Sequence, residues 1–138
     1  MKKVLLFIVL LLLSTPAMSQ EWINDKSFNE KINSQGGFGD SDNIIVVEFW
    51  AHFNKDNAFQ EWNELASLDG VKYYRCDIAL SPLMKKEYKV RMVPTILIFS
   101  GGSAYIKFKA KAGLDLLCPV DYPKMVRAIE VVKKESQY

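Results

Sequence analysis

The sequence has few side chains that could carry redox or metal chemistry, with two cysteines and one histidine in 138 residues. Cys76 and Cys118 lie far apart, so the Cys-x-x-Cys spacing of dithiol redox sites and of many zinc sites is absent. His52 is the single histidine, and three scattered ligands make a poor zinc site. We therefore predict no metal site and no cofactor.

The sequence also lacks a large excess of charge of one sign, because 18 lysines and arginines are nearly balanced by 16 aspartates and glutamates, for a net charge of +2. Lys107, Lys109 and Lys111 make a short basic row, but alternate residues of one strand usually form a solvated face. Nucleic-acid binding requires a concentrated basic patch, which the sequence lacks. We predict that no nucleic acid is bound.

A long hydrophobic run occurs only near the N-terminus. Lys2 and Lys3 precede the apolar run Val4 to Leu13, and Ala17-Met18-Ser19 follows as a small-residue cleavage site. This pattern predicts a signal peptide over 1–19 and an exported protein, periplasmic or secreted. The run is about half of the roughly 20 residues that span a bilayer, so we predict no stable membrane anchor after cleavage.

The remaining residues, 20–138, are enough for one domain with a core of its own. Without Lys2 and Lys3 the net charge falls from +2 to zero. Hydrophobic periodicity predicts helices over 27–32, 57–68, from Ser81-Pro82 with Ser81 as N-cap, and 122–134, and strands over 44–50, 71–78, 95–99 and 104–109. A glycine-rich loop spans 35–43. This order of elements predicts an α/β fold, a mixed sheet with helices on both faces.

Several separate motifs resemble the thioredoxin family. Phe49-Trp50-Ala51 matches the end of the strand before the family's active site, and Val93-Pro94-Thr95 matches its cis-proline segment. The strand Ile96 to Phe99 and the turn Gly101-Gly102 match the elements that follow. The resemblance implies a thioredoxin-like fold with four to five strands, and a cis peptide bond before Pro94.

The family's Cys-x-x-Cys is missing from this match. It normally follows Phe-Trp-Ala and opens a helix, and here Asn54 and Asn57 occupy the two cysteine positions. Asparagine forms no thiolate, so we expect a degenerate active site without thioredoxin-type disulfide oxidoreductase activity. Asparagine is a favoured helix cap, stabilising by about 1 kcal/mol, and we predict that role for both residues.

A charged pair is also implied by the resemblance. Glu48 lies where the family has a buried acid beneath its redox pair, and Arg75 lies where a buried lysine often partners that acid. In redox-active relatives the acid helps to move protons for the second cysteine. With no cysteine there, we interpret the pair as structural; removing one partner of such a pair costs roughly 3–5 kcal/mol.

The resemblance also implies a surface for binding another polypeptide. Phe53, Ile78, Val93 and Pro94 would form the family's apolar patch, with Phe53 where tryptophan is usual. The backbone of Val93 would be able to pair with an extended peptide by strand addition. Our leading hypothesis is an exported, non-catalytic module that uses this patch to bind a polypeptide or to join an envelope complex.

Two alternatives remain open from the sequence. The first is an atypical thiol oxidoreductase using Cys76 or Cys118; the second is an architectural subunit of an envelope complex, with contacts elsewhere, for instance on the final helix. A disulfide between Cys76 and Cys118 is a further possibility, which requires their Cα atoms within about 7 Å. The family's strand order speaks against that bridge.

Overall fold

A computed structural model of the chain describes residues 20–33, 43–110 and 116–136. The predicted signal peptide, 1–19, and most of the predicted glycine-rich loop, 35–42, lie outside the described residues. Among the residues described, no helix has the length and apolar character needed to cross a bilayer.

The described residues form one five-stranded mixed sheet flanked by helices. The strands are β1 (Glu21–Ile23), β2 (Ile44–Trp50), β3 (Val71–Asp77), β4 (Thr95–Ser100) and β5 (Ser103–Lys109), and the helices are α1 (Phe28–Asn33), α2 (Trp62–Ala66), α3 (Pro82–Glu87) and α4 (Tyr122–Glu135). A 3-10 helix, His52–Asn57, follows β2. The strand order is β1-β3-β2-β4-β5. Strands β1 and β2 run parallel to β3, whereas β4 runs antiparallel to β2 and β5.

Strand β2 forms the centre of the sheet because its continuous β-branched and aromatic run can be buried on both faces. Alternate side chains of β2 enter two separate cores. Val47 packs in the core that includes Phe28 of α1, and Val46 packs in the core that includes Leu65 of α2 and Met125 of α4. The predicted mixed sheet with helices on both faces is confirmed.

Strand β1 was not predicted from the sequence. It has three residues, of which only Ile23 is buried, and no periodicity can be recognised over so short a stretch. Its pairing with β3 adds a parallel strand at one edge of the sheet.

The predicted helix over 57–68 is wrong in its first half, because α2 begins only at Trp62. Phe59, which lies before α2, bonds through both of its backbone groups to side chains distant in sequence. Its N–H donates to Glu48 Oε2 at 3.1 Å, and its carbonyl accepts from Arg75 Nη2 at 2.9 Å. These tertiary bonds replace the helical bonds that the local pattern predicts.

The start of α3 has the predicted N-cap residue, Ser81, but its capping side chain comes from elsewhere. Pro82 is the first helical residue, as predicted, but the Ser81 side chain makes no capping bond. Asp25 takes this role from a distant part of the chain: its carboxylate accepts from the N–H of Leu83 at 3.1 Å and from that of Met84 at 3.0 Å. A cap so far away in sequence cannot be found from local patterns.

Candidate functional site

A buried carboxylate lies under the segment that follows β2. Glu48 is 0% exposed, and Arg75 Nε donates to its Oε1 at 3.0 Å. The same oxygen accepts from the Tyr73 hydroxyl at 2.5 Å, while Oε2 accepts from the Phe59 N–H at 3.1 Å. We call Glu48, Tyr73 and Arg75 the acid cluster. Both oxygens of the carboxylate thus have partners within the protein.

Burial raises the pKa of Glu48 above its ordinary value of 4.5, although Arg75, Tyr73 and the Phe59 N–H all act to lower it. Burial and the neighbouring Glu48 charge also raise the pKa of Tyr73. Tyr73 was missed by the sequence analysis. The sequence did contain a signal for it. Tyr73 and Arg75 are two residues apart on β3, so their side chains point to the same face of the sheet.

The two asparagines predicted to occupy the family's cysteine positions contact each other. Asn57 Nδ2 donates to Asn54 Oδ1 at 2.7 Å. Asn54 Nδ2 in turn donates to the carbonyl oxygens of Val93 at 2.8 Å and Leu116 at 2.9 Å. We call Asn54 and Asn57 the amide cluster. It ties the 3-10 helix to the segment before Pro94 and to the segment that leads into α4.

The predicted capping role of these asparagines is wrong. Ala51 is the N-cap of the 3-10 helix and Glu61 is the N-cap of α2, and neither helix start has a side-chain cap. Asn54 itself lies inside the 3-10 segment with non-helical angles, φ −120° and ψ 27°. Its amide bonds to carbonyls distant in sequence, which no local rule for helix starts would identify.

The predicted polypeptide-binding patch is only partly exposed. The peptide bond between Val93 and Pro94 is cis. Phe53 is 74% exposed and Ile78 is half-buried, but the side chains of Val93 and Pro94 are buried, which corrects the expectation that all four contribute surface. The Val93 carbonyl, which was expected to be open to an incoming peptide, already accepts from Asn54.

The remaining candidate residues do not form one site together. Cys76 is buried in β3 and Cys118 is half-buried before α4; both are free thiols. Burial raises the pKa of each thiol to about 11. His52 is exposed, with its ring 6.1 Å from that of Trp50. Within the described part of the chain, no three histidine, cysteine or acidic side chains are grouped to hold a metal ion.

Comparison with known proteins agrees with this fold. The family model "Thioredoxin" matches residues 19–118, well over half of the chain. Among solved structures, thioredoxin f from spinach chloroplast, in its short form, is similar, with a TM-score of 0.64 and 18% sequence identity. That match covers 82% of this chain and 92% of the spinach chain. No curated protein sequence matches.

The fold and the site together define a member of the thioredoxin-like superfamily with a five-stranded mixed sheet. The chain belongs to the thioredoxin family.

Proposed function

We propose that the protein is an exported thioredoxin-like module that binds another polypeptide, without disulfide exchange, through the surface centred on Phe53. The observation that carries this proposal is the 74% exposure of the Phe53 ring beside two hydrogen-bonded asparagines, Asn54 and Asn57. Large exposed aromatic rings are common anchors at protein interfaces. The amide cluster offers no nucleophile, so this surface favours binding over bond exchange.

The geometry also refines how a polypeptide would bind. Strand addition at Val93 would compete with the bond that Asn54 makes to the Val93 carbonyl. Side-chain contact on Phe53 needs no such displacement. We therefore place the main contact on the Phe53 ring and on the half-buried Ile78.

The alternative of a thiol oxidoreductase has less support. A reactive cysteine needs a low pKa and access to solvent. Burial raises the pKa of both thiols to about 11, and Cys76 is 0% exposed. The alternative of an architectural subunit is favoured by one feature, the exposed Val131 on α4.

A matched pair of variants tests the proposal. Phe53→Asp and Val131→Asp each place a charge on an exposed apolar position, one beside the amide cluster and one on α4. We expect Phe53→Asp to weaken binding to an array of random short peptides by about tenfold or more, since aromatic anchors often contribute about 2 kcal/mol. Val131→Asp should bind as the wild type does.

The opposite pattern overturns the proposal. If Val131→Asp loses partners from the exported fraction of the host while Phe53→Asp keeps them, the architectural alternative is correct. Thermal unfolding of both variants checks that each is folded. Export is tested separately, by sequencing the N-terminus of the protein isolated from its host, which should begin at Gln20.

A further inference from the structure

A cleft of about 310 Å³ opens where three neighbouring parallel strands end. Ile23 ends β1, Trp50 ends β2 and Asp77 ends β3, and all three residues line this cleft. Trp22, Asn24 and Leu80 complete its lining. Ligands of open α/β sheets bind at this end of the strands, beyond their carboxyl termini. We call this space the tryptophan cleft.

Two indole rings form the walls of the tryptophan cleft. The rings of Trp22 and Trp50 lie 4.9 Å apart, centroid to centroid, at an interplanar angle of 78°. Trp22 is 49% exposed and Leu80 is 72% exposed, so the cleft is open to solvent. The face of an indole ring attracts a cation more strongly than the face of any other aromatic side chain. An aromatic cleft of this kind suits a ligand that is both apolar and positively charged.

The charge of the cleft has the complementary sign. Asp77 is its single charged lining residue; its Oδ1 accepts from the Ala79 N–H at 3.0 Å. Arg75, the nearest cation along β3, is bound by Glu48. A cationic group in the cleft would therefore meet two indoles and a carboxylate, with no lysine or arginine in the lining to repel it.

We propose that the tryptophan cleft binds an arginine side chain of the polypeptide partner. This inference rests on the proposed function and adds a sequence preference to it. A planar guanidinium can stack on an indole and donate to a carboxylate at the same time, which an ammonium group does less well. Because β1 is an edge strand, an extended segment can lie along it and place one side chain in the cleft.

The test uses two small blocked amino acids that differ in charge and little in shape, N-acetyl-argininamide and N-acetyl-citrullinamide. Their binding to the protein 20–138 is followed by NMR of the tryptophan indole N–H signals. The chain has three tryptophans, and Trp62 does not line the cleft, so its signal is an internal reference. We expect the arginine compound to shift the Trp22 and Trp50 signals saturably, with an affinity about tenfold above that of the citrulline compound.

Two variants and two controls complete the design. Trp22→Ala should abolish the response of Trp50, and Asp77→Asn should reduce the preference for arginine over citrulline to near one. The controls are Tyr105→Ala, an exposed aromatic residue on β5, and Glu130→Gln, an exposed acid on α4; both should bind as the wild type does.

Equal affinity for the two compounds, or unchanged binding by Trp22→Ala, overturns the inference. Phe53→Asp separates it from the proposed function, because that variant should bind peptides about tenfold more weakly and still prefer the arginine compound. If the wild type binds array peptides without preferring those that contain arginine, the inference about the tryptophan cleft is wrong and the proposed function stands. A wild type that binds the arginine compound but no peptide refutes the proposed function.

Discussion

The acid cluster and the amide cluster have different structural roles in neighbouring parts of the molecule. Glu48 is a carboxyl group buried away from water. It accepts three hydrogen bonds, from the side chains of Tyr73 and Arg75 and from the backbone N–H of Phe59. Asn54 is neutral and only part-buried, and its amide joins segments that are far apart in sequence. One cluster compensates a buried charge, and the other holds loops together.

The difference shows how a half-buried amide and a buried acid each depend on their partners. The half-buried amide of Asn54 is satisfied because its N–H groups find partners in two nearby carbonyls. A buried acid cannot be left without its cation, because the uncompensated charge is costly in the interior. The acid cluster is therefore held together by its own ion pair and hydrogen bonds.

The largest expected effect comes from removing the cation of the acid cluster. Arg75→Met should lower the free energy of unfolding at neutral pH by roughly 3–5 kcal/mol, because Glu48 is then left buried without its counter-charge. Chemical unfolding of the folded domain measures this directly. Unchanged stability would show that the two clusters do not differ in the way described.

The pH dependence of this effect has a definite sign. The pKa of Glu48 in the folded protein lies above its ordinary value of 4.5, so its contribution is most favourable below that pH and declines as the pH rises through the folded value. Without Arg75 the folded pKa rises further, so Arg75→Met should lose more stability at neutral pH than near pH 4.5. Glu48→Gln, which cannot ionise, is the control and should remove this slope.

A smaller effect is expected from the amide cluster. Asn54→Ala removes three side-chain hydrogen bonds, two donated to carbonyls and one accepted from Asn57, and should cost about 2 kcal/mol. Amide hydrogen exchange should become faster near Val93 and Leu116. Asn63→Ala, at an exposed position of α2, is the matched control and should change little. If Asn54→Ala is as stable as the control, the amide cluster does not hold these segments.

The smallest expected effect concerns a thiol beside the acid cluster. Burial, and to a lesser degree the charge of Glu48, raises the pKa of Cys118 to about 11, so little thiolate is present at neutral pH. Glu48→Gln removes that charge and should speed the alkylation of Cys118 about twofold to threefold. Cys76, buried in β3, serves as the control for general opening of the fold. Fast alkylation of either thiol in the wild type would revive the oxidoreductase alternative.

The parts of the fold that the sequence predicted well have strong local signals. Strand β2 matches its predicted bounds, 44–50, because its apolar run is continuous and a strand buried on both faces requires such a run. The apolar stripe of α4 could be predicted for a similar reason, because Met125, Ile129 and Val132 repeat at helical spacing. All three are buried in the structure.

The sequence was less informative about the site. The positions of Asn54 and Asn57 could be identified from the neighbouring motifs, but their partners could not. Val93 and Leu116 are brought to Asn54 by the way the chain crosses the sheet, and a bond across that separation leaves no periodic pattern. The tryptophan cleft has the same origin, because Trp22 and Trp50 meet only through the pairing of β1 and β2 with β3.

The sequence by itself determined the family, the central sheet and the absence of a dithiol, because each depends on residue identity or on a short repeating pattern. Only the tertiary structure decided where α2 begins, what Asn54 binds and which predicted patch residues reach solvent. For the first two, the physical reason is the same. A buried carboxylate or amide must satisfy its hydrogen bonds with whichever groups the fold brings near, and those groups outweigh the local preference of the chain.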